Sequence, residues 1–308
     1  MEPKQTSTKD LKSMITSFKD STCRDFNFVD HFSKEIIFSV FSLTRLELPN
    51  SALTFDDVSF LGSLLVDEKC FITHLELQRN AFGLNGYKEL VRVLKHPGNK
   101  LVHLDLSDNK LKGNGEICNE FFYEALVNSN NKLNSLWLNN CQIGSFNLIL
   151  LFNSFCSSQT LITEIHLRLT AFESNVTSAL ANCLKHPNNK LIYLDICFAE
   201  FYEQEDFLSL VDSFGDSNNK IKFFIFYSFL GVVLDLTVKE KFREVLGGSK
   251  MNKNLCVLDH FDLLKDLQIN NYLRRNRGDE QHVQEEIYEE DVCDHGSFEG
   301  IDIEDLHF

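Results

Sequence analysis

The stretch Leu101–Leu111, with the sequence LVHLDLSDNKL, decides the fold of this chain. The alternation of apolar and polar residues through Leu104 and Leu106 predicts a short strand with one buried face. Asn109 follows at a position where a side-chain amide can turn inward and bond the backbone as the chain leaves the strand. The fixed positions of the pattern are Leu101, Leu104, Leu106, Asn109 and Leu111.

The same spacing returns along the chain. Copies with these apolar positions are Leu43-Leu46-Leu48-Leu53, Ile72-Leu75-Leu77-Asn80-Phe82, Leu133-Leu136-Leu138-Ile143, Ile162-Ile165-Leu167-Phe172, Leu191-Leu194-Ile196-Phe201 and Ile221-Phe224-Phe226. Their first positions are separated by 29, 29, 32, 29, 29 and 30 residues. A pattern kept in step over this length indicates a repeat architecture.

The segments between the predicted strands have helical periodicity. Apolar residues fall at i, i+3, i+4 and i+7 in segments such as Tyr87–Leu94, Cys118–Leu126, Val176–Leu184 and Phe207–Phe214. The helices end in asparagine-rich turns such as His96-Pro97-Gly98-Asn99-Lys100. Asn and Gly tolerate left-handed backbone angles, and Pro cannot continue a helix, so these turns return the chain to the next parallel strand.

A repeat of about 29 residues with a full helix resembles the ribonuclease-inhibitor-like leucine-rich repeats. Such repeats also occur in NOD-like receptors, Ran GTPase-activating proteins and tropomodulins. The resemblance implies an α/β fold, namely a right-handed leucine-rich-repeat solenoid (a horseshoe) of seven to eight strand–helix repeats. The asparagine position reads Asn80 and Asn109 and then Cys141, Thr170, Ala199 and Phe229, which predicts a less regular ladder in the last three repeats.

Four regions are predicted from composition and periodicity. Residues 1–42 form a helical N-terminal cap, 43–258 the leucine-rich repeats and 259–277 a C-terminal cap with a helix at Leu263–Leu273. Residues 278–308 form an acidic tail. From Asp279 to Phe308 there are twelve Asp or Glu and no Lys or Arg, a composition that predicts disorder.

Composition excludes several classes of function. The net charge of −15 argues against nucleic acid as the main partner, because phosphate attracts basic surfaces. The nine cysteines include no C-x-x-C pair and fit reduced, mostly buried thiols. The first residues lack the apolar region of a signal peptide, and there is no apolar run long enough to span a membrane. We therefore expect a monomer in the cytoplasm or nucleus, with no membrane contact and no cofactor.

The strands of such a solenoid line its concave face, where relatives commonly bind proteins. Residues between the buried leucines should face that hollow, and equal positions on adjacent strands should form contiguous rows about 4.8 Å apart. The candidate partner-binding residues are Trp137, Arg168, His166, His74, His103, Glu76, Asp105, Tyr193 and Asp195. Trp137, the only tryptophan, is the preferred anchor because Trp and Arg are enriched in interface hot spots.

Catalytic and metal sites are less favoured. His74, His103, Glu76 and Asp105 have the residue types of a metal site, but side chains on flat strands diverge, so charge pairing is the preferred interpretation. No G-x-S-x-G motif or phosphate-binding loop occurs. The predicted function is a non-enzymatic scaffold that binds a protein. The alternatives, by fold analogy, are a GTPase-activating-like regulator of a small GTPase and an actin-binding protein.

Overall fold

A computed structural model describes residues 43–80, 82–110, 120–197, 200–201, 204–226, 236–247, 255, 257–259 and 266–277. The predicted N-terminal cap at 1–42 and the acidic tail at 278–308 lie outside these residues.

The repeats build one parallel sheet. Its strands are β1 (Arg45–Glu47), β2 (His74–Glu76), β3 (His103–Asp105), β4 (Ser135–Trp137), β5 (Glu164–His166), β7 (Tyr193–Asp195), β9 (Phe223–Ile225) and β10 (Val257–Asp259). These eight strands follow one another in chain order across the sheet. A second, two-stranded sheet pairs β6 (Ala171–Phe172) with β8 (Glu200–Phe201). The predicted α/β architecture with a parallel sheet is confirmed.

Strand pairing has the same register throughout. Equal repeat positions face each other, as in Leu75 opposite Leu104 and Leu136 opposite Ile165. The register persists across the longest interval of the repeat, where Leu104 pairs with Leu136. It also persists at the last pair, where Leu258 lies opposite Phe224. The strand positions predicted from leucine spacing are therefore confirmed.

Helices connect the strands. They span Phe55–Leu65, Gly83–Leu94, Ser145–Phe155, Ser174–Leu184, Gln204–Ser213, Leu236–Gly247 and Leu267–Arg277, with a short π-helix at Glu120–Ala125. Neighbouring helices pack side by side, and their apolar faces cover the sheet. The closing helix begins at Leu267, where Asp266 caps it by accepting from the backbone N–H groups of Gln268 and Ile269. The predicted start of this helix, at Leu263, lies outside the described residues.

The core lies between the strands and the helices. Central strand residues such as Leu75, Leu104 and Ile165 have no exposed surface. Phenylalanine fills the later units, where the rings of Phe224 and Phe226 stack at 4.9 Å between centroids. Each repeat buries its apolar face against its neighbours, which is how stacked units share one continuous core.

Buried asparagines stabilise the turns after the early strands. The Asn109 amide donates to the carbonyls of Leu77 and Leu106 at 2.9 Å each, and its oxygen accepts from the N–H of Asn80 at 2.8 Å. At the equivalent position of the next unit, the Cys141 thiol donates to the Leu106 carbonyl at 3.1 Å. Side-chain bonding at this position is therefore weaker in the unit after β4 than in the two before it, whereas the backbone register does not change.

Candidate protein-binding surface

The side chains on either side of each central strand residue project from the sheet away from the helices. We call this surface the strand face. It is formed by the first and third residues of β1, β2, β3, β4, β5, β7 and β9. Because the strands keep one register, side chains from neighbouring repeats are brought side by side.

A row of six rings crosses the strand face. We call it the ring row, and it consists of His74, His103, Trp137, His166, Tyr193 and Phe223. Consecutive centroids lie 5.6, 5.4, 4.2, 4.9 and 5.9 Å apart, in this order. These separations are typical of favourable aromatic contacts. The row spans six adjacent strands, β2 to β9.

The ring row changes position within the repeat. His74, His103, Tyr193 and Phe223 are the first residues of their strands, whereas Trp137 and His166 are the third. The change is possible because Ser135 and Glu164 occupy the first positions of β4 and β5. Ser135 Oγ is 2.9 Å from His103 Nδ1 and accepts from Trp137 Nε1 at 3.2 Å. These bonds hold the indole beside the imidazole ring.

His166 lies at the centre of a network of charged groups. Its Nε2 is 2.8 Å from Glu164 Oε1, and its Nδ1 is 3.1 Å from Asp195 Oδ2. Arg168 Nε donates to the same Asp195 oxygen at 2.6 Å. The Asp195 side chain is fully buried, and its other oxygen accepts from the N–H of Cys197 at 3.0 Å. All polar atoms of the buried carboxylate therefore have partners, as burial requires.

The network shifts the protonation equilibria. Burial acts to lower the pKa of His166, but its bonds to Asp195 and Glu164 outweigh burial, and the net pKa is raised. Burial acts to raise the pKa of Asp195, but bonds from His166, Cys197 and Arg168 hold that pKa below its usual value. The bond from His166 is the main reason that the pKa of Glu164 is lowered. His166 is thereby favoured as an imidazolium between the Trp137 and Tyr193 rings, where a cation–π contribution is expected.

The other half of the strand face is also charged. Arg45 forms ion pairs with Glu47 and with Glu76. Burial lowers the pKa of His103 and raises that of Asp105. The side-chain oxygen of Gln78 is buried and has no hydrogen-bond partner within the described residues.

Eight of the nine predicted binding residues lie on the strand face, and the ninth, Arg168, follows β5 and bonds Asp195. Not all nine are accessible. Trp137, Tyr193, His74, His103, Glu76 and Arg168 are half-buried. Asp105, His166 and Asp195 are buried by their neighbours on this surface, so they are not themselves accessible to a partner. Their polar groups bond neighbouring side chains and backbone instead. The strand face also contains Glu164, Ser135 and Phe223, which are not among the nine predicted residues. Only their position in the repeat pattern indicates that they belong to this surface.

One contact on the strand face combines the residue types of a nucleophile and a base. The contact between Ser135 and His103 has the residue types of a nucleophile and its base, but Ser135 is buried and its oxygen also accepts from the Trp137 indole. A nucleophile needs an accessible oxygen next to donors for the developing charge. Within the described ranges, no group of three or more His, Cys, Asp or Glu is placed to hold a metal ion.

No protein-family model matches this chain, and neither does any curated protein. Among solved structures, it is similar to the C-terminal domain of tropomodulin from Caenorhabditis elegans, with 16% identity and a TM-score of 0.41 over 53% of this chain and 93% of that one. It is also similar to actin-binding site 2 of leiomodin-1, with 18% identity and a TM-score of 0.42 over 51% of this chain and 87% of that one. Similarity at this level does not indicate a shared partner.

None of the helices in the described ranges is long and apolar enough to cross a membrane. Together, the parallel sheet, its repeated register and the ring row describe an α/β repeat chain with one continuous aromatic and charged surface.

Proposed function

We propose that the chain is a non-enzymatic protein-binding module whose strand face, concave in a curved repeat solenoid, contacts the partner. The observation that carries this proposal is the ring row, which places six rings side by side on the face opposite the helices. Trp137 lies in its middle, next to His166 at 4.2 Å. A rigid aromatic anchor surrounded by polar groups is the usual composition of an interface hot spot.

The charges of the strand face favour a partner with basic side chains. Arg45, Arg168 and His166 are already paired with carboxylates of the same face. Glu164 bonds the Trp137 indole and His166 through its Oε1 atom, which leaves its other oxygen as an acceptor beside the ring row. The pKa of Glu164 is lowered, which keeps it ionised. An incoming Lys or Arg can contact both a ring and a carboxylate there.

The test is a comparison of partner capture by the full chain and by Trp137→Ala. Partners from native lysate are cross-linked, identified and measured again as purified proteins. We expect Trp137→Ala to weaken binding of a true partner by at least about tenfold, as hot-spot truncations do. Loss of the exposed ring of Phe223 in Phe223→Ser should also weaken binding without removing a buried contact.

The matched control is Phe146→Ala. Phe146 has 62% of its surface exposed and lies on the helix Ser145–Phe155, away from the strand face. Its removal should leave binding unchanged, and circular dichroism should show that all variants are folded. If Trp137→Ala and Phe223→Ser bind as tightly as the native chain, the strand face is not the interface.

The two alternatives from fold analogy stay predictions. Co-sedimentation with actin filaments would support an actin-binding role, and accelerated GTP hydrolysis by a small GTPase would support a regulatory role. Either result should be sensitive to Trp137→Ala if the strand face is responsible.

A further inference from the structure

One carboxylate oxygen in the middle of the ring row is open to solvent. Glu164 is the first residue of β5, and its Oε1 accepts from Trp137 Nε1 at 3.3 Å and lies 2.8 Å from His166 Nε2. Within the described ranges, its second oxygen, Oε2, has no hydrogen-bond or ion-pair partner. The Glu164 side chain is 35% exposed, so an incoming group can reach this oxygen.

Two rings flank this carboxylate. Trp137 belongs to β4, on one side of β5, and bonds Glu164 directly. Tyr193 belongs to β7, on the other side, and is the strand partner of Glu164. Both rings also contact His166, with centroids at 4.2 and 4.9 Å. The rings and the carboxylate are therefore fixed around one imidazole and form a preorganised group.

We propose that Glu164, Trp137 and Tyr193 form a lysine site, in which the ammonium group of a lysine side chain of the partner protein bonds Glu164 Oε2 and its methylene groups lie against the two rings. This inference rests on the proposed function, because it assumes that the strand face is the interface. It adds the chemical group that the centre of this face recognises.

The charges around the site favour a cation at Oε2. The bond from His166 lowers the pKa of Glu164, which is therefore ionised at neutral pH. The ring nitrogens of His166 are directed at Glu164 Oε1 and at Asp195, and Arg168 is also paired with Asp195. Burial lowers the pKa of His103, so this neighbouring ring is uncharged at neutral pH. The cationic groups of the network are thus directed at other oxygens.

The geometry favours lysine over arginine. A guanidinium binds a carboxylate best through two parallel N–H bonds, one to each oxygen. Oε1 of Glu164 already accepts from the indole and lies within bonding distance of His166, so only Oε2 is open. An ammonium group is a compact charge that needs a single acceptor, and the apolar stem of lysine packs well on aromatic rings.

The experiment uses the full chain and two blocked peptides, Gly-Gly-Lys-Gly-Gly and the same peptide with Arg in place of Lys. Trp137 is the only tryptophan, so its fluorescence reports on the site directly. Both titrations are made at pH 7.5 and at the same low ionic strength, because salt screens exposed charges. We expect the lysine peptide to change the emission in a saturable way and to bind at least about threefold more tightly than the arginine peptide.

Glu164→Gln is the main variant. Its amide oxygen can replace Oε1 as the acceptor, while its NH2 group replaces Oε2 and cannot bond an ammonium, so affinity for the lysine peptide should fall at least about tenfold. Glu47→Gln is the matched control, because Glu47 lies on the same face, carries the same charge and has a similar exposed fraction of 31%. It should leave the affinity unchanged.

Tyr193→Leu tests the site without altering the carboxylate. Loss of one ring should weaken binding of the lysine peptide about threefold, and circular dichroism should show that every variant is folded. The lysine site is wrong if the lysine peptide gives no saturable change. It is also wrong if the arginine peptide binds equally well, or if Glu164→Gln and Glu47→Gln have equal effects.

Failure of the lysine site can be distinguished from failure of the proposed function. A captured partner that is lost with Trp137→Ala but retained by Glu164→Gln would leave the strand face as the interface and overturn the lysine site. A partner that is insensitive to Trp137→Ala would instead contradict the proposed function.

Discussion

The early and late units share one backbone but stabilise it differently. Between β1 and β3, the buried amides of Asn80 and Asn109 bond the backbone at each strand exit. After β4, the same position holds Cys141 and then Thr170, whose side chains make fewer bonds. Register is nevertheless unchanged up to β10. The comparison shows that the asparagine ladder is one of several means of stabilising this turn.

The late units are stabilised by other interactions in place of the asparagine ladder. Their core contains stacked phenylalanines such as Phe224 and Phe226, and their strand face contains the bonds of His166, Asp195 and Arg168. The core of the early units consists mainly of leucines. On their strand face, Arg45 forms an exposed ion pair with Glu47. Directional hydrogen bonds at the turns therefore stabilise the early units, whereas ring packing and a buried charge network stabilise the late units.

The largest effect on stability is expected from removing one asparagine of the ladder. Asn109→Ala should lower the free energy of unfolding by about 3 kcal/mol, because it leaves several buried backbone groups without partners. Cys141→Ala, at the equivalent position of a late unit, should cost only about 1 kcal/mol, since a thiol is a weak donor. Urea unfolding followed by circular dichroism measures both. Equal losses would show that the two positions do not differ as the contacts suggest.

A smaller effect is expected from the protonation of His166. Its folded pKa is raised, so its stabilising contribution is fully present below the unfolded pKa of about 6.5. That contribution is lost as the pH rises through the folded pKa. The free energy of unfolding should therefore fall across this range in the native chain and fall less in His166→Gln.

Trp137 reports the same titration by fluorescence. Loss of the His166 proton changes the charge 4.2 Å from the indole and should change emission above a pH of about 6.5. Burial and the charge of His74 lower the pKa of His103, so its titration should change emission below that pH. His166→Gln should remove the upper step alone and His103→Gln the lower step alone. A single step that survives both substitutions would contradict this assignment.

The smallest effect concerns the residue three positions after the end of each of the first five strands, which has left-handed backbone angles. Asn50, Arg79, Asp108, Asn140 and Leu169 have φ angles of 49 to 58°. Leu169 is the least suited of them, because a branched apolar side chain is disfavoured there, and 40% of its surface is exposed. Leu169→Asn should raise the free energy of unfolding by about 0.5 to 1 kcal/mol. The reverse change, Asn140→Leu, should lower it by a similar amount, and thermal melting would measure both.

The amino-acid sequence by itself determined the repeat. Leucines at fixed intervals predict where each strand lies, and because one face of a strand must be buried, they also predict the register. The pairing of His74 with His103 and of Trp137 with His166 follows from counting residues. The helices between the strands follow from periodicity in the same way.

Only the tertiary structure decided which outward positions are accessible and which side chains meet. Register places Asp195 next to His166, but its complete burial depends on the larger rings and on Arg168 around it. The ring row passes from first to third strand positions because the small Ser135 leaves room beside His103. The spacing of leucines in the sequence determines which residues are neighbours along the backbone of adjacent strands. The size, rotamer and charge of the side chains determine which of these neighbours are in contact.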